Sequence, residues 1–477
     1  MTTYSERYDV AIIGAGLSGL VCGCILAKRG LKSLIIEKNA IPGGYCTSFS
    51  RKGFNFDSCV YSLSSFRKNA SLNKLFRELS INDAIKFNRF EIPDIVMTPA
   101  YKVRFFNNLE KTIKEVQSCF PKNKIAIRNF FKLTTTSNSF NLVKYKNISF
   151  KKMLDYFFDN EELKVILSIM LLGYTGLPPS QLSSLVACLI YKEFIFDGGY
   201  YPERGMQSFP DVLAQKFFTL GGRIFFSTKA EEIHIKNGEA KGVIIKNGIL
   251  AEAKFIVSAC DAHQTFYELI KREFLSDGFI KKIKLMKPSL SAFLIYLGLN
   301  SRISNDDLRS HIWIIKNNYN DIEKIYSNML KHKFDYLAMS SSSLRKSKIF
   351  RPKVDTIFCF VNSPFFTKSS WDCECKETLA KQLLNMSKLI IPNIDKLIDL
   401  KITASPRTLY NWSLNYKGAC YGWADTIKQF CDPNFSEKTV IKNLYLTGHW
   451  SNKSSGVASV VNSGMKTAQK IISDWKS

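Results

Sequence analysis

The first strongly patterned stretch of the chain begins with an apolar run, Val10–Ile13, that ends at a glycine. A segment of helical length follows, and a second apolar run, Leu34–Ile36, is closed by the acidic Glu37. Short apolar runs bounded by turn residues are typical of strands buried on both faces of a parallel sheet. The pattern therefore predicts a buried strand, a tight turn, a helix and a second buried strand.

Three glycines, Gly14, Gly16 and Gly19, mark the turn between the first strand and the helix. In this spacing the first allows a sharp turn, the second lets the backbone approach a pyrophosphate, and the third lets helix and strand pack closely. Free N–H groups and the helix dipole then favour the phosphate charge. Glu37 is placed to accept hydrogen bonds from both ribose hydroxyls, and we include the adjacent Lys38 among the cofactor-binding residues. The N-terminus is therefore predicted to bind a dinucleotide.

A second glycine pair, Gly43 and Gly44, bears on which dinucleotide is bound. With the following segment 53–57, it resembles the extended fingerprint of the flavin-binding amine oxidase and phytoene desaturase superfamily, in which paired glycines pass close to FAD. NAD dehydrogenases generally lack this second pair. The resemblance therefore implies FAD as the cofactor.

The next part of the chain, to about residue 200, is rich in Phe and Lys. The segments 150–158 and 163–172 are predicted to be amphipathic helices. Ser180 is predicted to be the N-cap of a further helix through the apolar run 185–190. We expect this region to be a helical cap over the substrate.

A return to the nucleotide-binding domain is predicted from about residue 200. A helix ends at the glycine pair 221–222, a hairpin turns at Asn247–Gly248, and 255–259 is a further buried strand. Near the C-terminus, a strand and a glycine turn at 443–450 precede a helix that runs to Trp475. This last segment resembles the one that closes over the flavin in the superfamily.

Over nearly its whole length, the chain resembles the phytoene desaturase branch of flavoproteins, which includes carotenoid desaturases, carotenoid isomerases and retinol saturases. The segments 403–408 and 415–422 are similar to a pair that lies beside the flavin in that branch. The resemblance implies non-covalent FAD and the following site residues. The adenine would meet the backbone of Ala230 or Glu231, the rest of the flavin would meet Gly448, His449, Gly456 and Val457, and the candidate catalytic residues are Tyr421 and Arg407.

The predicted fold class is α/β, with a Rossmann-like FAD-binding domain, a mixed α+β substrate domain and a helical cap. We expect the FAD-binding domain to be discontinuous. It comprises residues 1–85, 200–275 and 401–477, and the substrate-binding domain comprises 86–199 and 276–400.

An excess of basic residues, 67 against 41 acidic ones, gives the chain a net charge of +26. Such a surface favours anionic partners. The clusters 281–287 and 345–353 interleave cations with apolar residues, which suits a peripheral contact with an anionic membrane, although a lysine-rich solvated surface explains them equally well. No nucleic-acid-binding motif is visible, and we expect no nucleic-acid partner.

Neither a signal peptide nor a membrane-spanning segment is evident, and the 12 cysteines are interpreted as reduced thiols. The five histidines are not spaced as metal ligands, so we predict no metal site. These features indicate a cytoplasmic protein that associates peripherally with a membrane. They leave the oligomeric state open.

The leading hypothesis is an FAD-dependent oxidoreductase that acts on a long apolar polyene or isoprenoid-like substrate by desaturation, saturation or isomerisation. The alternatives are an amine or amino-acid oxidase with a soluble substrate, and a flavin-binding protein without turnover. The segment Lys453–Gly456 motivates the last one, because it departs from the Pro-Gly-Gly-Gly that is usual in the branch.

Overall fold

The computed structural model describes residues 6–136, 142–346, 348–365, 371–430, 439–451 and 456–476 of the 477-residue chain. Its strands are β1 (Tyr8–Ile13), β2 (Ser33–Ile36), β3 (Ser48–Arg51), β4 (Phe54–Asp57), β5 (Phe87–Arg89), β6 (Asp94–Met97), β7 (Lys102–Phe105), β8 (Tyr200–Pro202), β9 (Arg223–Phe225), β10 (Ala230–Lys236), β11 (Glu239–Ile245), β12 (Ile249–Ser258), β13 (Ser291–Leu299), β14 (His311–Ile315), β15 (Tyr336–Ser340), β16 (Thr356–Ser363), β17 (Ile398–Ala404) and β18 (Leu444–Leu446).

The described α-helices are α1 (Leu17–Lys28), α2 (Ser71–Leu79), α3 (Leu109–Cys119), α4 (Lys124–Thr136), α5 (Phe150–Phe157), α6 (Glu161–Thr175), α7 (Ser184–Ile190), α8 (Ser208–Thr219), α9 (Asp277–Leu285), α10 (Ile322–Met329), α11 (Ser342–Arg345), α12 (Cys373–Ser387), α13 (Ile394–Leu397), α14 (Pro406–Ser413) and α15 (Val457–Lys476). A π-helical segment, Tyr191–Phe196, continues α7.

One seven-stranded sheet, the nucleotide sheet, has the order β10–β11–β12–β1–β2–β9, with β18 paired to β12. Strand β1 pairs in parallel with β2 and with the second half of β12. The buried strands predicted at 10–13, 34–36 and 255–259 are therefore confirmed. The side chains of these strands are buried on both faces of the sheet. Helices α1, α2, α8 and α15 cover one face, and apolar side chains of β10 and β11 pack on the other.

Helix α1 is buried almost completely between the nucleotide sheet and the C-terminal helix α15. The two helices approach closely, since a Cβ on Gly464 would lie 2.6 Å from the carbonyl oxygen of Ser18. The predicted C-terminal helix and its apolar face are confirmed: Val457, Val461 and Ala468 are buried.

A second seven-stranded sheet, the substrate sheet, has the order β17–β13–β16–β15–β14–β6–β7. The sheet is mixed, because β6 and β14 pair in parallel, whereas its other pairs of neighbouring strands are antiparallel. The predicted α/β class, with a parallel nucleotide-binding sheet and a second mixed domain, is confirmed.

The helices between residues 109 and 196 differ in how they are buried. Helix α5 is amphipathic as predicted and buries Phe150, Met153 and Leu154. The amphipathic interpretation of 163–172 was wrong, because α6 is buried on all sides against the substrate sheet and the neighbouring helices.

The helix predicted to begin at Ser180 begins later, at Ser184, with Ser183 as its N-cap. Ser180 is held elsewhere: its backbone N–H and its hydroxyl donate to the two carboxylate oxygens of Glu323 at 3.0 and 2.8 Å. The predicted hairpin turn is confirmed between β11 and β12, where Asn247 and Gly248 adopt positive φ angles.

The nucleotide sheet draws its strands from residues 8–36, 223–258 and 444–446. The predicted boundary at residue 401 falls inside β17, which belongs to the substrate sheet because it pairs with β13. In other respects the domain division stays a prediction. Among the described residues, no helix combines the length and apolar character that crossing a bilayer requires.

Candidate functional site

One continuous cavity of about 290 Å³, the central cavity, runs from the carboxyl ends of β1 and β2 to the face of the substrate sheet. Its first part is lined by the glycine turns and Glu37, and its second part by aromatic and aliphatic side chains.

The turn after β1 has the geometry that its glycines predict. Gly14 has a φ of +103°, and its N–H donates to the carbonyl of Ile36 at 2.8 Å, which ties the turn to β2. A Cβ on Gly19 would lie 2.1 Å from the Gly14 carbonyl oxygen, so helix and turn are in direct contact. Gly16 is different, because no atom of the described residues lies within 4 Å of the position its Cβ would take. That position opens into the central cavity.

The N-terminus of α1 is suited to an anion. Its N-cap is Gly16, no side chain in the described part of the chain caps the first turn, and that turn contains no acidic residue. The second glycine pair lies beside it: Gly43 donates its N–H to Ala15 at 2.8 Å, and Gly44 has a φ of +61°. Backbone N–H groups and the helix dipole thus face a wall made of glycine backbone.

Glu37 lies at the end of β2 with a carboxylate that is only 6% exposed. It accepts hydrogen bonds from the backbone N–H groups of Ala15 at 2.7 Å and Asn39 at 2.8 Å. Burial raises the pKa of this carboxyl, and the two hydrogen bonds oppose that rise. Lys38 also lines the central cavity, and burial lowers the pKa of its ammonium group.

Of the two residues expected near an adenine, the structure brings only Ala230 to the central cavity. Ala230 is buried at the start of β10, whereas the side chain of Glu231 is exposed. Alternation along the strand explains the difference, since successive side chains point to opposite faces.

The C-terminal residues predicted to contact a flavin all line the central cavity: Gly448, His449, Gly456 and Val457. The backbone N–H of Gly448 donates to the Ser463 hydroxyl at 2.9 Å, which joins the turn to α15. Burial lowers the pKa of His449 to about 4, so its ring is neutral at physiological pH. The departure at Lys453–Ser455 lies outside the described residues.

The two candidate catalytic residues lie in different places. Tyr421 lines the central cavity, and its hydroxyl donates to the carbonyl of Gly173 at 2.7 Å. Arg407 is exposed on α14 and does not line the cavity, because the buried face of that helix carries Pro406 and Leu409 instead. Arg407 therefore does not lie beside the place where a flavin would bind.

These features fit the adenine dinucleotide part of FAD. The open space at Gly16 and the uncapped helix N-terminus suit a pyrophosphate, and the buried carboxylate of Glu37 suits a ribose. The cavity then continues past Gly448 toward the substrate sheet, where a flavin ring would meet its substrate.

Comparison with protein families agrees with this geometry. The model of the family described as flavin containing amine oxidoreductase matches residues 17–472. This chain belongs to that family. It is a flavin-dependent oxidoreductase that binds FAD.

Three relatives match nearly the full chain at low identity. Prolycopene isomerase 2 of an Oncidium hybrid cultivar is 24% identical over 98% of this chain and 84% of its own. The 4,4'-diapophytoene desaturase of Methylomonas sp is 24% identical over 97% and 94%, respectively. All-trans-retinol 13,14-reductase of Danio rerio is 22% identical over 93% and 82%. The expected resemblance to the phytoene desaturase branch is confirmed.

Solved structures share the fold. An oxidoreductase from Methanosarcina mazei superposes with a TM-score of 0.69 at 16% identity, covering 97% of this chain and 100% of its own. Putrescine oxidase bound to putrescine gives a TM-score of 0.65 at 15% identity, covering 98% and 99%.

The far wall of the cavity in this flavoenzyme contains residues that the sequence did not indicate. Tyr61, Tyr174 and Phe194 line it together with Asp94, the first residue of β6. Phe194 lies on the π-helical segment, and its ring occupies the space that a Cβ on Gly456 would need. A π-helical segment is a frequent feature of functional sites, but no sequence signal announces it. A single acidic residue at the start of a strand, such as Asp94, does not indicate a functional site in the sequence either.

Proposed function

We propose that this flavoenzyme acts on the C–C and C=C bonds of a long apolar polyene or isoprenoid by desaturation, saturation or isomerisation. The observation that carries the proposal is the composition of the cavity beyond the flavin turns. Tyr61, Tyr174, Phe194, Leu294 and Phe360 line it there. An isoprenoid chain offers almost no polar handle, so its binding depends on burying apolar surface of this kind.

The named relatives support the substrate class but not one reaction. Their names assign them the isomerisation of prolycopene, the desaturation of 4,4'-diapophytoene and the reduction of all-trans-retinol. All three substrates are polyene or isoprenoid molecules, whereas the redox outcomes differ. The proposal therefore keeps the three reaction types open.

When bound, FAD supplies the two-electron redox chemistry. We assign its binding to Gly14, Gly16, Lys38, Glu37, Gly43, Gly44, Ala230, Gly448, His449, Gly456 and Val457, with Gly19 supporting the turn. Tyr421 is proposed to orient the substrate through its ring, because its hydroxyl is engaged by the backbone of α6. The division into a discontinuous FAD-binding domain and a substrate-binding domain belongs to the same proposal.

We further propose that the enzyme reaches its substrate at an anionic membrane surface. In the first basic cluster, Leu285 is 77% exposed at the end of α9 beside Lys284. In the second, Ile349 is 88% exposed and Phe350 is 41% exposed. Exposed apolar side chains among cations support insertion into a charged interface. Arg345 is buried and takes no part in this surface.

The test is turnover under anaerobic conditions. Purified FAD-loaded protein is mixed with liposomes that carry prolycopene, 4,4'-diapophytoene or all-trans-retinol, with the flavin supplied oxidised or pre-reduced. Flavin absorbance and chromatography of the extracted lipids are then followed. We expect conversion of at least one polyene. Conversion of none, with peroxide formed from putrescine or cyclohexylamine in air, would support an amine oxidase instead.

A further inference from the structure

The central cavity is lined by residues of three strands of the substrate sheet, β13, β16 and β6. At one end, the segment 415–422 is joined to the residues before β13. The backbone N–H of Ser289 donates to the carbonyl of Gly422 at 2.8 Å, and the N–H of Cys420 donates to the carbonyl of Leu290 at 3.1 Å. At the other end lies Asp94 on β6, which is four strands away from β13 in the sheet order.

Asp94 is a buried carboxyl that retains unused acceptor capacity. It is 2% exposed, and its Oδ1 accepts hydrogen bonds from the Tyr174 hydroxyl and from Trp313 Nε1, both at 2.8 Å. Within the described ranges, Oδ2 receives no hydrogen bond, and Asp94 forms no ion pair. The nearby guanidinium of Arg345 instead donates to the main-chain carbonyls of Tyr61 and Arg309.

Tyr61 lines the same end of the cavity with a buried hydroxyl that makes no hydrogen bond of good geometry among the described residues, although the Tyr174 hydroxyl lies close enough to lower its pKa. Its ring is held in place by stacking on His311, with ring centroids 3.8 Å apart and an angle of 16° between the planes. Burial raises the pKa of this hydroxyl, and the neighbouring charge of Asp94 raises it further, so it remains a donor.

These two groups have complementary roles. An ionised carboxyl can only accept hydrogen bonds, while the phenol of Tyr61 has a proton to donate. A hydroxyl group donates one hydrogen bond and accepts others, so it would satisfy both at once. A pure hydrocarbon would leave the second carboxylate oxygen of Asp94 and the Tyr61 proton without a well-formed hydrogen bond, which is unfavourable. The positive charge of Arg345 nearby makes the pocket less suited to an ammonium group.

We propose that Asp94 and Tyr61 form a subsite for a hydroxyl group at one end of an otherwise apolar substrate. The subsite rests on the proposed function and narrows its substrate class from hydrocarbons to isoprenoid alcohols. Asp94 and Tyr61 determine specificity here, and the reacting bond lies nearer the flavin turns.

The test is ligand binding to purified FAD-loaded protein, measured by quenching of tryptophan fluorescence. Two matched pairs serve as probes: all-trans-retinol with its methyl ether, and β-cryptoxanthin with β-carotene. Each alcohol should bind at least about tenfold more tightly than its partner, as expected for a hydrogen bond to a charged group. Tyr61→Phe should reduce this preference. Asp94→Asn should abolish it and favour the ether, because it places a second donor opposite the ligand oxygen.

Matched variants outside the cavity control for general damage. Asp335→Asn changes a buried aspartate that accepts hydrogen bonds from Asn318 and Asn328, and Tyr336→Phe changes a buried tyrosine. Both should keep the preference for alcohols, and thermal unfolding should show that all variants fold.

The outcomes separate the subsite from the proposed function. The subsite would be overturned if the wild type bound each alcohol and its matched ether or hydrocarbon equally, or if Asp94→Asn kept the preference for alcohols. Either result would still be compatible with an enzyme that acts on isoprenoids. Tighter binding of retinylamine than of retinol would overturn it in favour of a cation site. Binding of none of the probes would overturn the subsite and the isoprenoid proposal together.

Discussion

The carbonyl oxygen of Gly14 lies 2.1 Å from the position that a Cβ on Gly19 would occupy. The contact joins the turn after β1 to the first turn of α1, and only a residue without a side chain permits it. Gly16 lies between them, and its Cβ position has no neighbour within 4 Å among the described residues. The three glycines of one motif therefore serve two different purposes, which substitution can separate.

Gly19→Ala should destabilise the protein itself, because the new methyl group meets backbone that cannot yield easily. We expect a loss of about 3 kcal/mol or more in the free energy of unfolding, with or without FAD. Denaturant unfolding of the apoprotein measures it. Gly278→Ala is the control, since none of the residues that the structure describes lies within 4 Å of its Cβ position. Equal stability of the two variants would contradict the close contact.

Gly16→Val should leave the apoprotein folded and prevent FAD from binding. The valine side chain would project into the central cavity, where the pyrophosphate is proposed to lie. The expected result is a colourless protein with an unfolding transition close to that of wild-type apoprotein. A Gly16→Val protein that purifies yellow with full flavin occupancy would refute the assignment of the phosphate site.

Glu37→Gln should weaken FAD binding without abolishing it. The amide can replace only part of the acceptor capacity that Ala15, Asn39 and the ribose hydroxyls use. Losing hydrogen bonds to a charged acceptor corresponds to a rise of about tenfold or more in the Kd for FAD. Titration of apoprotein with FAD measures this. Glu231→Gln, on the exposed side of β10, should bind FAD like the wild type.

The parts of the fold that the sequence predicts well are those encoded by local composition. The runs 10–13 and 34–36 are apolar throughout, and such runs indicate strands covered on both faces. Helix α6 shows why a similar argument failed elsewhere. The two polar residues of the segment 163–172 do not face solvent, because Lys164 forms ion pairs with Asp155 and Glu161, and the Ser168 hydroxyl donates to the backbone of the same helix.

The far end of the central cavity could not be predicted from the sequence, because it depends on which strands of the substrate sheet pair. Asp94 acquires its surroundings only because β6 pairs with β14, whose residues lie more than two hundred positions later in the chain. Trp313, which binds its carboxyl, comes from that strand. The position of Arg407 depends likewise on which face of α14 is buried, and proximity to a motif in sequence does not determine that.

Asp94 should make stability depend on pH. Burial raises its pKa from an ordinary 3.8 to about 6, while hydrogen bonds from Trp313 and Tyr174 and the charge of Arg345 oppose the rise. Because the folded protein holds this proton more tightly than the unfolded chain, the stabilising contribution is complete below pH 3.8 and is lost as the pH rises through about 6.

The measurement compares the free energy of unfolding of wild type and Asp94→Asn between about pH 4 and about pH 7. The variant has no carboxyl to ionise at this position. Between these two pH values its stability relative to the wild type should therefore rise by about 2 kcal/mol. Parallel pH profiles for the two proteins would contradict the raised pKa.

Membrane binding should require both the basic charge and the exposed apolar side chains. Leu285→Ser and Ile349→Ser each remove one apolar side chain, whose insertion is worth about 1.5–3 kcal/mol when fully buried. We expect each variant to bind anionic vesicles roughly tenfold less tightly than the wild type in co-sedimentation. Leu389→Ser is the control, because Leu389 is exposed beside Lys388, whose charge is paired with Asp395.

Salt distinguishes electrostatic attraction from insertion alone. Raising the ionic strength from about 0.01 M to about 1 M shortens the Debye length from about 30 Å to about 3 Å, so wild-type binding to anionic vesicles should fall steeply. Neutral vesicles should bind weakly at every salt concentration, because they do not attract a chain with a net charge of +26. Failure to bind either vesicle type at low salt would refute the membrane proposal and would favour a substrate that is taken up from water.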